Sequence, residues 1–197
     1  MPKLLIGTRN KGKFEKWKLF LKEFDLYSLD ELGINCEIEE DLVSLEKNSQ
    51  KKALFYAKES GIVTLSEDIG LYFEALDGKP GVAIRRWGGE LPVDVSNRDF
   101  FEFFKKKMKD LDNTNCYFQE AVSIATSEGK VKTFFHKVEG RIDKSLFENE
   151  FIEGFPLAAV FFRNGSLKSW MDFTPEEKFN LNKNFIEKIK RELNKFL

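Results

Sequence analysis

The sequence predicts an α/β fold built on a mixed sheet. A short apolar run near the start passes through a Gly-containing loop into a helical pattern. Two long β-like runs joined by a four-residue turn follow in the second half, and helical periodicity returns at the end. At 197 residues and 23.0 kDa the chain fits a single domain over 1–197.

Residues 3–8 are short, apolar and β-compatible, and Arg9-Asn10-Lys11-Gly12 has loop chemistry. Phe14, Trp17, Leu21 and Phe24 then recur at helical spacing, with the lysines between them on a solvated face. A second helix is predicted over 45–58, where Leu45, Ala53, Leu54 and Ala57 can face inward and Gly61 stops it. Residues 62–65 read as a short strand. Residues 66–70 read as an acidic turn between it and the β-like Leu71-Tyr72-Phe73.

The cluster Asp77-Gly78-Lys79-Pro80-Gly81 opens an irregular stretch that ends near Asn97. A helix over 99–108 places Phe100, Phe101, Phe103 and Phe104 on or near its buried side. Residues 116–126 and 131–138, joined by the turn at 127–130, predict an antiparallel hairpin. A loop through 153–156 leads to a strand at 159–162, and a helix runs from about 182 to 196.

Composition narrows the function classes. With 42% hydrophobic and 33% charged residues the chain can build a core and stay soluble. The 32 basic and 33 acidic residues leave a net charge of −1, so no global positive field holds a nucleic-acid polymer or an anionic membrane. Cys36 and Cys116 are too few for a disulfide framework and show no zinc spacing. The start shows no signal core, and the longest apolar run, 157–162, falls far short of the ~18 residues that span a bilayer. A cytoplasmic protein is expected.

A serine or cysteine nucleophile would need a histidine base, and the one histidine, His136, sits inside a predicted strand, where a neighbour contact or solvent is its expected fate. The loop Thr8-Arg9-Asn10-Lys11-Gly12-Lys13 is more informative. It joins a strand end to a helix start and combines a hydroxyl, an amide, a glycine and three basic side chains, the composition of a phosphate cradle. Glu67 and Asp68 are adjacent carboxylates able to hold a hard divalent cation and orient a water. Together the two sets suggest phosphoanhydride hydrolysis.

With those motifs in place, the chain resembles the inosine triphosphate pyrophosphatase family, nearly over its full length. Thr8, Asn10 and Lys13 match the family's triphosphate-binding pattern, and Asn48, Lys52 and Ala53 match its Glu-Asn-Ala, two residues, Lys-Ala motif. Lys47 stands where that motif has a metal-binding Glu. Ser66-Glu67-Asp68-Ile69-Gly70-Leu71 is similar to the Asp-Asp-Ser-Gly-Leu segment, with Glu67 as a metal carboxylate and Asp68 at the general base. Gly78, Pro80-Gly81, Arg86 and Trp87 fit the next block. Gly154-Phe155 matches the start of a base-binding signature that Pro156 to Ala159 then leave, and Thr174, Glu176, Glu177 and Lys178 resemble the Thr-x-Glu-Glu-Lys segment. The Ser-His-Arg that reads a purine is Asn182-Lys183-Asn184 here.

The resemblance implies a long mixed central sheet with flanking helices, two lobes around a deep cleft, and a homodimer. It implies hydrolysis of a nucleoside triphosphate to monophosphate and pyrophosphate with Mg2+, or Mn2+ in its place, bound by Glu67 and Asp68. In this scheme Asp68 is catalytic, and Thr8, Asn10, Lys13, Asn48, Lys52, Arg86, Phe155 and Lys178 bind substrate. The changed base-reading residues imply altered or relaxed base specificity. The alternative is a catalytically impaired nucleotide-binding protein in which Lys47 supplies a built-in cation.

Overall fold

The computed structural model describes residues 1–36, 38, 44–148 and 150–197. Among them, a seven-stranded mixed sheet has the path β2-β1-β3-β5-β6-β7, with β4 paired to β3. The strands are β1 (Lys3–Ile6), β2 (Asp25–Tyr27), β3 (Thr64–Phe73), β4 (Pro80–Gly81), β5 (Asn115–Ala125), β6 (Val131–Ile142) and β7 (Phe161–Arg163). The helices are α1 (Lys11–Phe20), α2 (Leu45–Ser60), α3 (Asn97–Met108) and α4 (Pro175–Phe196). β1 runs parallel to β2 and β3, whereas β3–β4 and β6–β7 are antiparallel, so the sheet is mixed as expected.

The chain divides into two compact units, and β3, β5 and β6 each give one part to either unit. The first holds residues 1–68, 120–136 and 175–197. Its strands alternate strictly between two faces, as a pleat requires. Leu4, Ile6, Leu65, Val122 and Ile124 pack with Trp17 and Phe20 of α1 and with Phe185, Ile189 and Leu193 of α4. On the opposite face Leu5 packs with Tyr56 of α2, and Ala125 with Ala53 and Ala57. One face therefore carries α1 and α4, the other α2.

The second unit holds residues 69–119 and 137–174. Ser96 caps α3 by accepting from the Asp99 N–H, and Phe100, Phe101, Phe104 and Met108 are buried on one side of the helix. They join Phe73, Trp87, Phe147 and Phe161 in one cluster, with the Phe101 and Phe147 rings 5.1 Å apart. Each buried ring contributes on the order of 1.5–3 kcal/mol, and the phenylalanine-rich composition serves the core of the first unit and this one alike. Cys116 lies in it, buried, and burial pushes its thiol up to about 12, whereas Cys36 is exposed.

Several elements differ from the sequence reading, among them β3, α1, the last helix and β2. β3 is one ten-residue strand, so residues 66–70 are not a turn. Their carboxylates are tolerated inside a buried strand because each finds partners, described below. α1 begins at Lys11 and ends at Phe20, before Phe24. The last helix begins at Pro175, seven residues earlier than its periodicity suggests. β2 has no counterpart in the sequence reading, and it exists through pairing, Lys3↔Asp25 to Leu5↔Tyr27.

Candidate active site

β1 ends at Ile6, and the chain turns at Thr8 into α1. The Thr8 hydroxyl accepts from the Asn10 N–H at 3.1 Å, and the Asn10 side chain accepts from the Lys13 N–H at 3.1 Å, which makes Asn10 the N-cap. The cap orients the loop and the first helical turn together. Thr8, Asn10 and Lys13 are all part-buried, and no acidic residue occupies the first turn of α1. A helix N-terminus so furnished favours anions.

β3 carries the two carboxylates in its middle. Glu67 and Asp68 are 1% and 4% exposed. Successive strand residues point to opposite faces, and the contacts follow that rule. Asp68 faces α2, where the Asn48 amide donates to its Oδ2 at 2.9 Å. Lys52, also on α2 and buried, donates from Nζ to the backbone carbonyl of Glu67 at 2.8 Å. Capping by Ser44 and termination at Gly61, with φ 69°, set the ends of α2. Asn48 and Lys52, one turn apart, thus lie on one side of it.

Glu67 faces α1. Its Oε2 accepts from the Trp17 indole N–H at 2.7 Å and from the Lys16 ammonium, which also donates to Glu120 of β5. Lys13 Nζ stands 3.9 Å from Glu67 Oε1, an oxygen without a hydrogen-bond partner among the described residues. Lys16 and Glu120 are absent from the sequence reading, which puts the α1 lysines on a solvated face. Glu120 has the parity of Val122 and Ile124 along β5, and that places it on the inward face opposite Glu67. Lys47, by contrast, is exposed on α2. The ammonium among these carboxylates belongs to Lys16.

Burial pushes the Glu120 carboxyl up to about 8, with Glu67 adding to the rise and Lys16 opposing it. Burial acts upward on Glu67 as well, but Lys16 and then Lys13 overcome it and hold that carboxyl at about 2. For Lys16, burial pulls downward, and Glu120 and Glu67 together raise it above its ordinary value. A carboxyl raised on folding binds more protons in the folded state between its ordinary 4.5 and about 8, so its contribution to stability declines as pH rises through that window. The lowered Glu67 does the opposite, losing its contribution as pH falls from 4.5 towards 2. The melting temperature of the wild-type protein is therefore expected to decline relative to Glu120→Gln from pH 5 to pH 8. Parallel melts of the two proteins across that range would contradict the assignment.

The remaining sequence candidates belong to other elements. Lys178 is part-buried on α4, and its carbonyl accepts from the Asn182 amide at 2.7 Å. Asn182 Oδ1 lies 2.9 Å from His136 Nε2, and the His136 ring stacks on Phe185 at 4.6 Å. His136 thus meets neighbours on α4, the first of the two fates expected for it. Arg86 and Phe155 belong to the second unit. Arg86 is exposed and precedes a short turn at Trp87–Gly89, and Phe155 is part-buried ahead of the turn Pro156–Ala159.

The fit of a divalent cation follows from this geometry. The pleat sends Glu67 and Asp68 to opposite faces of β3, and Glu67 Oε2 accepts from Lys16 and Trp17 while Asp68 Oδ2 accepts from Asn48. Among the described residues no cluster of three His, Cys, Asp or Glu side chains suits a metal. Asp68 alone still fits a cation of the Mg2+ type, which commonly uses one or two carboxylates and completes its shell with substrate phosphates and water.

Fold and site together define an α/β protein with a capped loop at the start of α1 and two buried carboxylates on β3. The chain belongs to the Ham1 family, whose model matches residues 4–185. It is 33% identical over 184 residues to a dITP/XTP pyrophosphatase of Desulfotalea psychrophila, covering 90% of this chain and 78% of that protein. It is 32% identical over 186 residues to a dITP/XTP pyrophosphatase of Clostridium perfringens, covering 90% and 89%. In fold it is similar to a HAM1 protein from Coxiella burnetii, with a TM-score of 0.76, 20% identity and coverage of 99% and 100%. The resemblance read from the motifs and the expected mixed sheet with flanking helices agree with these findings.

Proposed function

We propose that this protein is a nucleoside triphosphate pyrophosphohydrolase, assisted by Mg2+ or Mn2+, that releases nucleoside monophosphate and pyrophosphate. The observation that carries the reading is the buried Asp68 carboxylate, fixed by Asn48 on α2. In the proposed reaction Asp68 accepts a proton from a water whose oxygen attacks the α-phosphorus. The bond from that phosphorus to the bridging oxygen breaks, and pyrophosphate leaves with its electrons. Thr8, Asn10 and Lys13 bind the phosphates, with Asn48, Lys52 and Lys178 assisting, and the resemblance adds Arg86 and Phe155 as substrate-binding residues. Asp68 would also hold the cation, which when bound offsets charge on the phosphates.

The relatives named dITP/XTP pyrophosphatase support this reaction class. The base preference is proposed to be altered or relaxed, because Asn182, Lys183 and Asn184 replace the Ser-His-Arg of the resembled family, and the first of them engages His136. A homodimer and a cytoplasmic location complete the reading. Among the described residues no helix is long and apolar enough to cross a membrane. Val93, 77% exposed, is an apolar residue that a dimer interface would cover.

The test is pyrophosphate release from a panel of standard and nonstandard triphosphates, with divalent cation and with chelator. Release that chelator abolishes is expected, with a base profile broader than inosine and xanthosine. Nucleotide binding without release from any substrate would favour an impaired binder. The observation that favours this second reading is the ammonium of Lys16 between two site carboxylates.

A further inference from the structure

We infer that Lys16 is a cation built into the chain that occupies, in place of a divalent ion, the carboxylate pair Glu67 and Glu120 on the α1 face of the sheet. Its ammonium donates to one oxygen of each carboxylate and lies 4.7 Å from the centre of the Trp17 ring. Trp17 in turn donates to the same Glu67 oxygen at 2.7 Å. The group is enclosed, with the side chains of Glu67, Glu120 and Lys16 exposed by 1%, 14% and 21%. Two carboxylates brought so close without a cation would repel each other in a poorly solvated place. A proton on one carboxyl, a hard divalent ion and an ammonium are the ordinary remedies, and here an ammonium is covalently supplied.

The inference rests on the proposed function only where it treats Asp68 as the carboxylate that meets a nucleotide-borne cation. Its consequence is independent of turnover. Without nucleotide, the wild-type protein offers no open pair of carboxylates on the α1 face, whereas removal of the ammonium opens one. Glu67 Oε1, buried without a hydrogen-bond partner among the described residues and with the Lys13 ammonium 3.9 Å away, would then have Oε2 and Glu120 beside it to share a cation.

The test is titration of nucleotide-free protein with Mn2+ alone, reading free Mn2+ by electron paramagnetic resonance. Lys16→Gln should bind Mn2+ about tenfold or more tightly than wild type, and Lys16→Gln combined with Glu120→Gln should lose the gain. Lys16→Met, which keeps the apolar stem, serves if the glutamine variant does not fold. Equal Mn2+ affinity in wild type and a folded Lys16 variant would overturn the inference, as would a gain that persists without Glu120. Failure of the triphosphate panel would leave these titrations unaffected, so the two failures are distinguishable.

Discussion

Asp68→Asn is expected to lower pyrophosphate release by about 10³-fold while leaving nucleotide affinity within a few-fold of wild type, since a positioned general base contributes on the order of 10²–10⁴. The substitution keeps size and shape. The new amide can still turn an oxygen towards the Asn48 Nδ2 that now donates to Asp68 at 2.9 Å, so the β3–α2 contact survives. What is lost is a group able to take a proton and carry negative charge. Initial rates, isothermal titration with the same nucleotide and a thermal melt separate the possibilities. Retained turnover in the folded variant would remove Asp68 from the mechanism. A drop in affinity matching the drop in rate would make it a binding residue instead.

Much of this arrangement is legible where it is local. The loop from β1 into α1, with Thr8, Asn10 and Lys13, and the stop of α2 at Gly61 depend on neighbours in sequence, and the residues mark them directly, though the cap at Asn10 is seen only in the fold. Motifs also identify Asn48, Lys52 and Asp68, though only the fold shows that the α2 residues approach β3 from one face. The buried run at 66–70 is misread as a turn because charge is the strongest local cue there. Its partners come from α1, α2, β5 and Gly7, 15 to 59 positions away in sequence. Asp25–Tyr27 is too short to announce itself as a strand and is fixed by its register with β1.

Lys16 and Glu120 are missed for the same reason, although each leaves a trace. Lys16 lies one helical turn beyond Lys13, at the edge of the Trp17 stripe, and Glu120 shares its strand parity with Val122 and Ile124. Neither trace has meaning until the two elements are placed on one face of the sheet. The pleat, more than any motif, separates the roles of Glu67 and Asp68. Adjacent in sequence, they serve opposite sides of β3, one holding an ammonium and the other facing the capped helix that carries Asn48.

Gly7→Ala should be the most damaging single methyl in the first unit. A Cβ there would lie 2.3 Å from the Ser66 hydroxyl oxygen, 2.9 Å from the Tyr56 ring and 3.0 Å from a Thr64 methyl. Ser66 cannot yield cheaply, because its hydroxyl donates to the Gly7 carbonyl at 3.0 Å, and Tyr56 and Thr64 are both buried. Overpacking of this kind costs ~1–3 kcal/mol, and loss of the hydrogen bond adds about 1. For a chain of this size the melting temperature should fall by roughly 5–12 °C. Relief by moving β3 away from β1 would strain the Gly7 N–H bond to the Leu65 carbonyl, now 2.8 Å, and carry Glu67 and Asp68 with it. A displacement near 1 Å at a reacting group can cost about 10²-fold in rate, so turnover should fall even well below the lowered melting temperature. A variant that melts and turns over like wild type would show that β1 and β3 part without disturbing the carboxylates, and that the position of Asp68 is set by α2 alone.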